Sequence, residues 1–258
     1  MKIKNSPCAS IVVCFALLLS FSKAQAQKLV EENFEAFDSG TTLDTMGSDG
    51  GDGWRLAGFD IPDASATVVE GASTSGNGDN QRLLHLKRPE ARGMNFGRLF
   101  EEASSESAPK GIRVAMKFMV QEGFEESSDL VFGFLEKSRA TFSGAHMVGV
   151  FRLRFQEPNH SQFAYYLGQG DTEGASYARV QDVPFRPGQW YELKLTLDLA
   201  GQTWGFLLSN LDTEEYATVE NIPFGRDVFS VTGIGLCNRT PPAALNHFFD
   251  DFVVEIVE

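Results

Sequence analysis

Arg152 and Arg154 fall on one phase of an alternating segment, opposite Phe151, Leu153 and Phe155, so both guanidiniums project from the non-core side of a strand. Two planar, permanently charged forks side by side suit a carboxylate such as that of a uronic acid. Equally, they suit carboxylates on neighbouring strands. The same stretch, 146–166, carries His146, Gln156, Asn159, His160, Gln162, Tyr165 and Tyr166. Adjacent residues on a strand face opposite ways, so one of Tyr165 and Tyr166 is expected in the core and the other outside it. Trp54, beside Gly51 and Gly53, and Trp190, on the non-core phase of its strand, are the remaining aromatic candidates. A pyranose ring stacks on an exposed indole, flanked by Asp, Asn, Gln or Arg groups. The competing roles are a plug at the rim for Trp54 and a strand-start anchor over the core edge for Trp190.

Other chemistries find little support. There is no Gly-x-Ser-x-Gly elbow for a serine nucleophile. Cys237 lies in the apolar run Ile234-Gly235-Leu236-Cys237, with only His247 near it in sequence, which suits packing better than reactivity. The four histidines have no zinc-ligand spacing. Asp and Glu total 35 against 22 Lys and Arg, a net charge of −13. Such a balance excludes a nucleic-acid partner, whose phosphates demand a basic footprint, and favours neutral partners or cations such as calcium.

The elements that must hold these residues have a period of two. In 112–120 every second residue is apolar, with Arg113 and Lys117 between them. Tyr191, Leu193, Leu195, Leu197 and Leu199 repeat the pattern, as do Phe252, Val254 and Ile256. Strict alternation puts one face on a core and one in water, as in an antiparallel sheet. Further strands are expected at 29–34, 66–70, 82–87, 96–101, 130–136, 147–155, 163–167, 177–181, 202–208 and 231–236. Turn clusters such as 75–80 and Pro187-Gly188 lie between them. With 22 phenylalanines to fill a core, the expectation is an all-β protein of two packed antiparallel sheets. Lys2 and Lys4, the apolar run 11–19 and Ala24-Gln25-Ala26 have the form of a cleaved signal peptide over 1–26. That predicts an exported product, 27–258, forming a single β-sandwich without a membrane span or an internal disulfide.

Three segments resemble concanavalin A-like, laminin-G-type jelly-roll domains of secreted bacterial proteins. They are 32–40 (Glu32-Asn33-Phe34-Glu35 onward), 187–195 (Pro187-Gly188-Gln189-Trp190 onward) with Gly201-Gln202-Thr203-Trp204, and 248–255 (Phe248-Phe249-Asp250-Asp251 onward). The resemblance implies a jelly-roll sandwich, and a structural calcium between first and last strands near Glu35, Asp250 and Asp251. The loop 44–53, with Asp49 and Asp52, is a second calcium candidate. The fold hosts lectins, carbohydrate-binding modules, glycoside hydrolases, polysaccharide lyases and adhesion domains, so it leaves the activity open. The Glu-x-Asp-x-Glu strand of its hydrolases is absent, as are the Arg-x-Glu-x-Arg and Gln-x-His strands of its lyases. The expected function is therefore a secreted, non-catalytic, lectin-like domain that binds a glycan. A polysaccharide-degrading enzyme working through Arg152 and Arg154 is the alternative, and a structural or adhesion domain without a small ligand is the third.

Overall fold

The computed structural model describes residues 27–43, 53–57, 65–72, 80–88, 95–104, 111–122, 130–136, 147–154, 162–167, 177–238 and 245–257. The expected signal peptide and the loop bearing Asp49 and Asp52 lie outside them. Among the described residues, strands follow in the order β1 (Gln27–Glu32), β2 (Trp54–Ala57), β3 (Ser65–Ala72), β4 (Asn80–Arg88) and β5 (Asn95–Ser104). Then come β6 (Gly111–Val120), β7 (Leu130–Glu136), β8 (Met147–Arg154), β9 (Gln162–Tyr166) and β10 (Tyr177–Arg179). The last are β11 (Trp190–Asp198), β12 (Thr203–Asn210), β13 (Tyr216–Pro223), β14 (Ser230–Asn238) and β15 (Leu245–Val257). No helix among the described residues is long and apolar enough to cross a membrane.

The strands form two antiparallel sheets. The eight-stranded sheet runs β13-β12-β11-β6-β15-β4-β3, with β1 also paired to β15. Strand β15 meets β4 through Leu245–Phe249 and β1 through its second half, with β6 along its other side. The seven-stranded sheet runs β10-β9-β8-β7-β14-β5-β2.

Alternation translates directly into layers. In β6 the residues Ile112, Val114, Met116, Phe118 and Val120 are buried, and in β11 Tyr191, Leu193, Leu195 and Leu197 are. The two strands pair in continuous register, Trp190 opposite Met119 through Asp198 opposite Gly111. Their inward side chains therefore form one surface, and it packs on Phe132, Phe134, Phe151 and Phe163 of the seven-stranded sheet in one hydrophobic core. Phe118 joins the layers, with ring centroids 5.2 Å from Phe132, 5.6 Å from Tyr191 and 6.2 Å from Phe163.

Several strands carry bulges, and those in β8 and β15 reset the phase of residues that matter for the site. Strand β8 has one extra residue between Val148 and Phe151, where β7 advances only from Phe132 to Phe134. Gly149 sits there at φ 61°, a left-handed conformation that costs glycine little, and the reset turns Val150 and Arg152 outward. Strand β15 gains its extra residue between Asp250 and Val253, with Asp251 at φ 47°. Inward positions thus change from His247 and Phe249 to Phe252 and Val254.

The connection into β11 is pinned by polar groups. The Tyr191 hydroxyl accepts a hydrogen bond from the Arg186 amide at 2.7 Å and lies 3.2 Å from the Pro184 carbonyl, to which it donates. Burial pushes this phenol up to about 12, against the opposing backbone contact and charge of Arg186. Arg186 grips Glu215 through both guanidinium nitrogens, Nη2 to Oε1 at 3.0 Å and Nη1 to Oε2, and Thr213 Oγ1 donates to Glu215 at 2.7 Å. Arg186 first, then Thr213, hold the Glu215 carboxyl at about 2 instead of 4.5. A depressed folded-state value contributes stability that is present above the unfolded value and lost as pH falls through the folded one. The urea midpoint should therefore fall between pH 4.5 and about 2, and Glu215→Gln should make that fall shallower. An equal acid slope in the variant would contradict this assignment.

Candidate functional site

Three strands at one edge of the seven-stranded sheet bring arginine and tyrosine together on its outer face. Arg152 of β8 lies opposite Ala164 of β9, which lies opposite Arg179 of β10. Phe151 and Leu153 point inward, so Arg152 points out, and by register Arg179 shares its row. Ala164 between them leaves a short step in that row. Two register positions along, on the same face, Tyr166 pairs with Tyr177, their ring centroids 5.7 Å apart and tilted by 50°. The Arg152 guanidinium carbon lies 5.1 Å from the Tyr177 ring centroid, within cation–π range. Arg179 is exposed, while Arg152, Tyr166 and Tyr177 are half-buried. The result is a surface where guanidinium donors sit beside phenol rings. The guanidiniums suit carboxylate or hydroxyl oxygens, and the rings suit the apolar face of a pyranose.

An apolar floor adjoins this corner. Val131, Leu135, Met147 and Val150 form a second buried cluster, separate from the main core because they occupy the opposite phase of β7 and β8. Leu99 and Tyr166 pack against it. Met147 lies flat across the sheet over Gly133 and Gly235, so close that a Cβ at Gly235 would stand 2.0 Å from its Cε. Glycine at that position leaves the room that the methionine occupies.

The structure divides the other residues singled out in the sequence. Of the two tyrosines, Tyr165 turns inward, its ring 5.1 Å from Phe206, and Tyr166 turns outward. Trp190 is half-buried on the outer face of the eight-stranded sheet, far from Arg152 in the fold, its amide capped by Asp212 Oδ2 at 2.8 Å. Trp54 is a correction. It is only 1% exposed, stacked on Phe96 at 5.1 Å and set against Phe34 and Phe252, so it offers a sugar no free face. The physical reason is that β2 pairs with β5 and aims Trp54 inward at the end of the sandwich, where Arg98 covers the ring. Arg154 belongs to β8 opposite Gln162, and its side chain lies outside the description.

The carboxylates expected around calcium are each engaged separately. Glu35 Oε1 accepts the Arg82 amide at 2.9 Å. Asp250, 2% exposed, accepts the Asp251 amide at 2.8 Å, and Asp251 pairs with Lys117 at 2.6 Å. Asp250 and Asp251 hold the β15 bulge in place, and the described residues contain no group of three or more His, Cys, Asp or Glu able to hold a metal. Among the described residues Glu35, Asp250 and Asp251 belong to no such group.

A groove of about 460 Å³ lies on the outer face of the eight-stranded sheet, lined by residues that include Arg113, Lys194, Thr196, Asp198, Thr218 and Glu220. Gly205 supplies no side chain there, and Trp204 and Phe206 belong to the core. The groove offers hydroxyls and charges but no exposed aromatic ring.

Sequence reasoning marked Arg152 and Tyr166 but missed Tyr177 and Arg179 as their neighbours. The signal was present, since Tyr177 and Arg179 share one phase of a short strand. What the sequence lacked was the pairing of that strand with β9.

No protein-family profile and no curated protein matches the chain. Among solved structures, it is similar to lectin II from Ulex europaeus, at 9% identity and a TM-score of 0.54, over 89% of this chain and 99% of that one. It is similar to the CBM2 module of the evolved Dit protein of Lactobacillus casei BL23 phage J-1, at 14% identity and a TM-score of 0.53, over 90% and 97%. A sialidase matches at 11% identity and a TM-score of 0.51 over 84% of this chain, which spans only 18% of the sialidase's length. Likeness at such identities is likeness of fold: the chain is a two-sheet antiparallel jelly-roll sandwich of the concanavalin A-like kind.

Proposed function

We propose that this protein is an exported, non-catalytic glycan-binding domain, and that it takes a carboxylated saccharide on the outer face of the seven-stranded sheet. The observation that carries the reading is the Arg152 guanidinium 5.1 Å from the Tyr177 ring, with Tyr166 beside it and Arg179 in the same row. In a chain of net charge −13, two arginines gathered on one edge need a reason, and an acidic sugar is a partner that matches both the charge and the rings. That solved structures of similar fold bear the names of a lectin and a carbohydrate-binding module agrees with this choice. Export rests on the amino-terminal charge, apolar run and Ala-x-Ala pattern. Calcium has no part in the proposed site, so chelation should leave binding unchanged.

The test is a glycan array of neutral and carboxylated polysaccharides, with release of unsaturated uronate followed on the same samples. Saturable binding confined to carboxylated glycans, without product release, is the expected result. Product release would replace this reading with the lyase reading. An array without binding would leave the site without a sugar partner.

A further inference from the structure

The opposite face of the molecule carries a row of side chains that the Arg152 site does not use. Trp190 of β11 lies opposite Met119 of β6, Met119 opposite Phe248 of β15, and Phe248 opposite His85 of β4. All four are half-buried, and their chain neighbours Tyr191, Phe118, Phe249 and Leu84 are buried on the other phase. They therefore line up on the outer surface of the eight-stranded sheet, across four adjacent strands. With strands spaced about 4.8 Å apart, Trp190 stands about 10 Å from Phe248 and about 14 Å from His85. His85 and Phe248 stack with centroids 4.6 Å apart and planes within 7°, which fixes the far end as a double ring.

Polar groups flank the row on both sides. On one side His85 Nε2–H donates to Asn246 Oδ1, and Asn246 Nδ2 donates to Gln121 Oε1, an ordered line of amides beside the rings. Burial, with Lys87 adding to it against the Asn246 contact, holds His85 below the ordinary imidazole range, so the ring is neutral at pH 7. On the other side lie Glu192, Lys117 and Asp250, aligned by register. Two of these charges are answered locally, Lys117 by Asp251 at 2.6 Å and Glu192 by Lys194 at 2.8 Å.

From this arrangement we infer that the row Trp190–Met119–Phe248–His85 is a second binding surface, for a neutral polysaccharide chain lying flat across the strands. A strip one ring wide, with hydrogen-bonding edges on both sides, matches a chain whose sugar faces are apolar and whose hydroxyls point sideways. It does not match a second copy of the protein. A stable protein interface buries about 800 Å² per partner around an apolar centre depleted of charge. Here charged residues adjoin a single row, and pairing would bring together two chains of net charge −13.

The test uses the full exported chain and suspensions of cellulose, chitin, mannan and xylan, with depletion from solution as the readout. Saturable depletion by at least one suspension is expected, about tenfold weaker or more in Trp190→Ala and in Phe248→Ala, and unchanged in Arg152→Ala. A second readout does not depend on variants folding. Of the three tryptophans, Trp54 and Trp204 are buried, so a soluble oligosaccharide of the retained polysaccharide should shift the emission of Trp190 in the unaltered protein. Depletion by none of the four, depletion that survives both substitutions, or no emission shift would overturn the inference. So would sedimentation showing a dimer that Trp190→Ala dissolves. Because the Arg152 face is probed with carboxylated glycans and this one with neutral suspensions, either can fail alone.

Discussion

Phe118→Ala should lower the stability of the fold by about 3–5 kcal/mol, the range for losing a fully enclosed aromatic ring from a core. Phe118 is wholly buried, and its ring contacts Tyr191 on the neighbouring strand and Phe132 and Phe163 on the facing sheet. Removing it opens a cavity between the sheets that rigid strands on both sides cannot close. The matched control is Phe248→Ala, a half-buried ring on the outer face, for which an effect several-fold smaller is expected. Urea denaturation of both variants gives the comparison directly. Similar losses for the two would mean that Phe118 does not hold the layers together.

The second large effect concerns binding. Arg152→Ala should weaken the affinity for a carboxylated glycan by about tenfold or more, which corresponds to about 1.4 kcal/mol. The guanidinium supplies a charge-assisted contact, and its placement over Tyr177 orients the ring that the sugar would meet. Arg152→Lys keeps the charge but loses the planar fork, so it should recover only part of the affinity. Raising the salt concentration should weaken the unaltered protein more than Arg152→Ala, because exposed charge interactions are screened. Affinity titrations of the three proteins at two salt concentrations check all of this. Equal affinity in the alanine variant would remove Arg152 from the site.

Much of the fold was legible because alternation and burial are the same fact seen twice. In β6 and β11 the phase read from the sequence is the phase observed, and it assigned Trp190 to the outer face correctly. Bulges hid other parts. The first half of β15, Leu245–Phe249, carries its inward residues on the opposite phase from Phe252 and Val254, so only the second half read as a strand. Strand β13 was missed because Tyr216 is exposed and an extra residue between Val219 and Ile222 interrupts its alternation.

The candidate site was half legible for a related reason. Phase placed Arg152 outside and separated Tyr165 from Tyr166, since both are properties of one strand. Which strand lies next to which is a property of the whole sheet, and no local pattern showed β10 delivering Tyr177 and Arg179 to Arg152. Trp54 was misjudged because glycines nearby suggest a loop, whereas four-residue β2 tucks the indole under Arg98. The carboxylates expected around calcium meet the Arg82 amide, the β15 bulge and Lys117, partners that are remote or only local in sequence.

The Arg152–Tyr177 corner is proposed to bind an acidic sugar. Calorimetric titration of a uronate oligosaccharide into the unaltered protein, into an Arg152→Ala, Arg179→Ala double variant and into Trp190→Ala tests it most directly. The expected result is saturable binding by the unaltered protein and by Trp190→Ala, with none measurable for the double variant. Binding that survives in the double variant, or no uronate oligosaccharide bound by the unaltered protein, would contradict it.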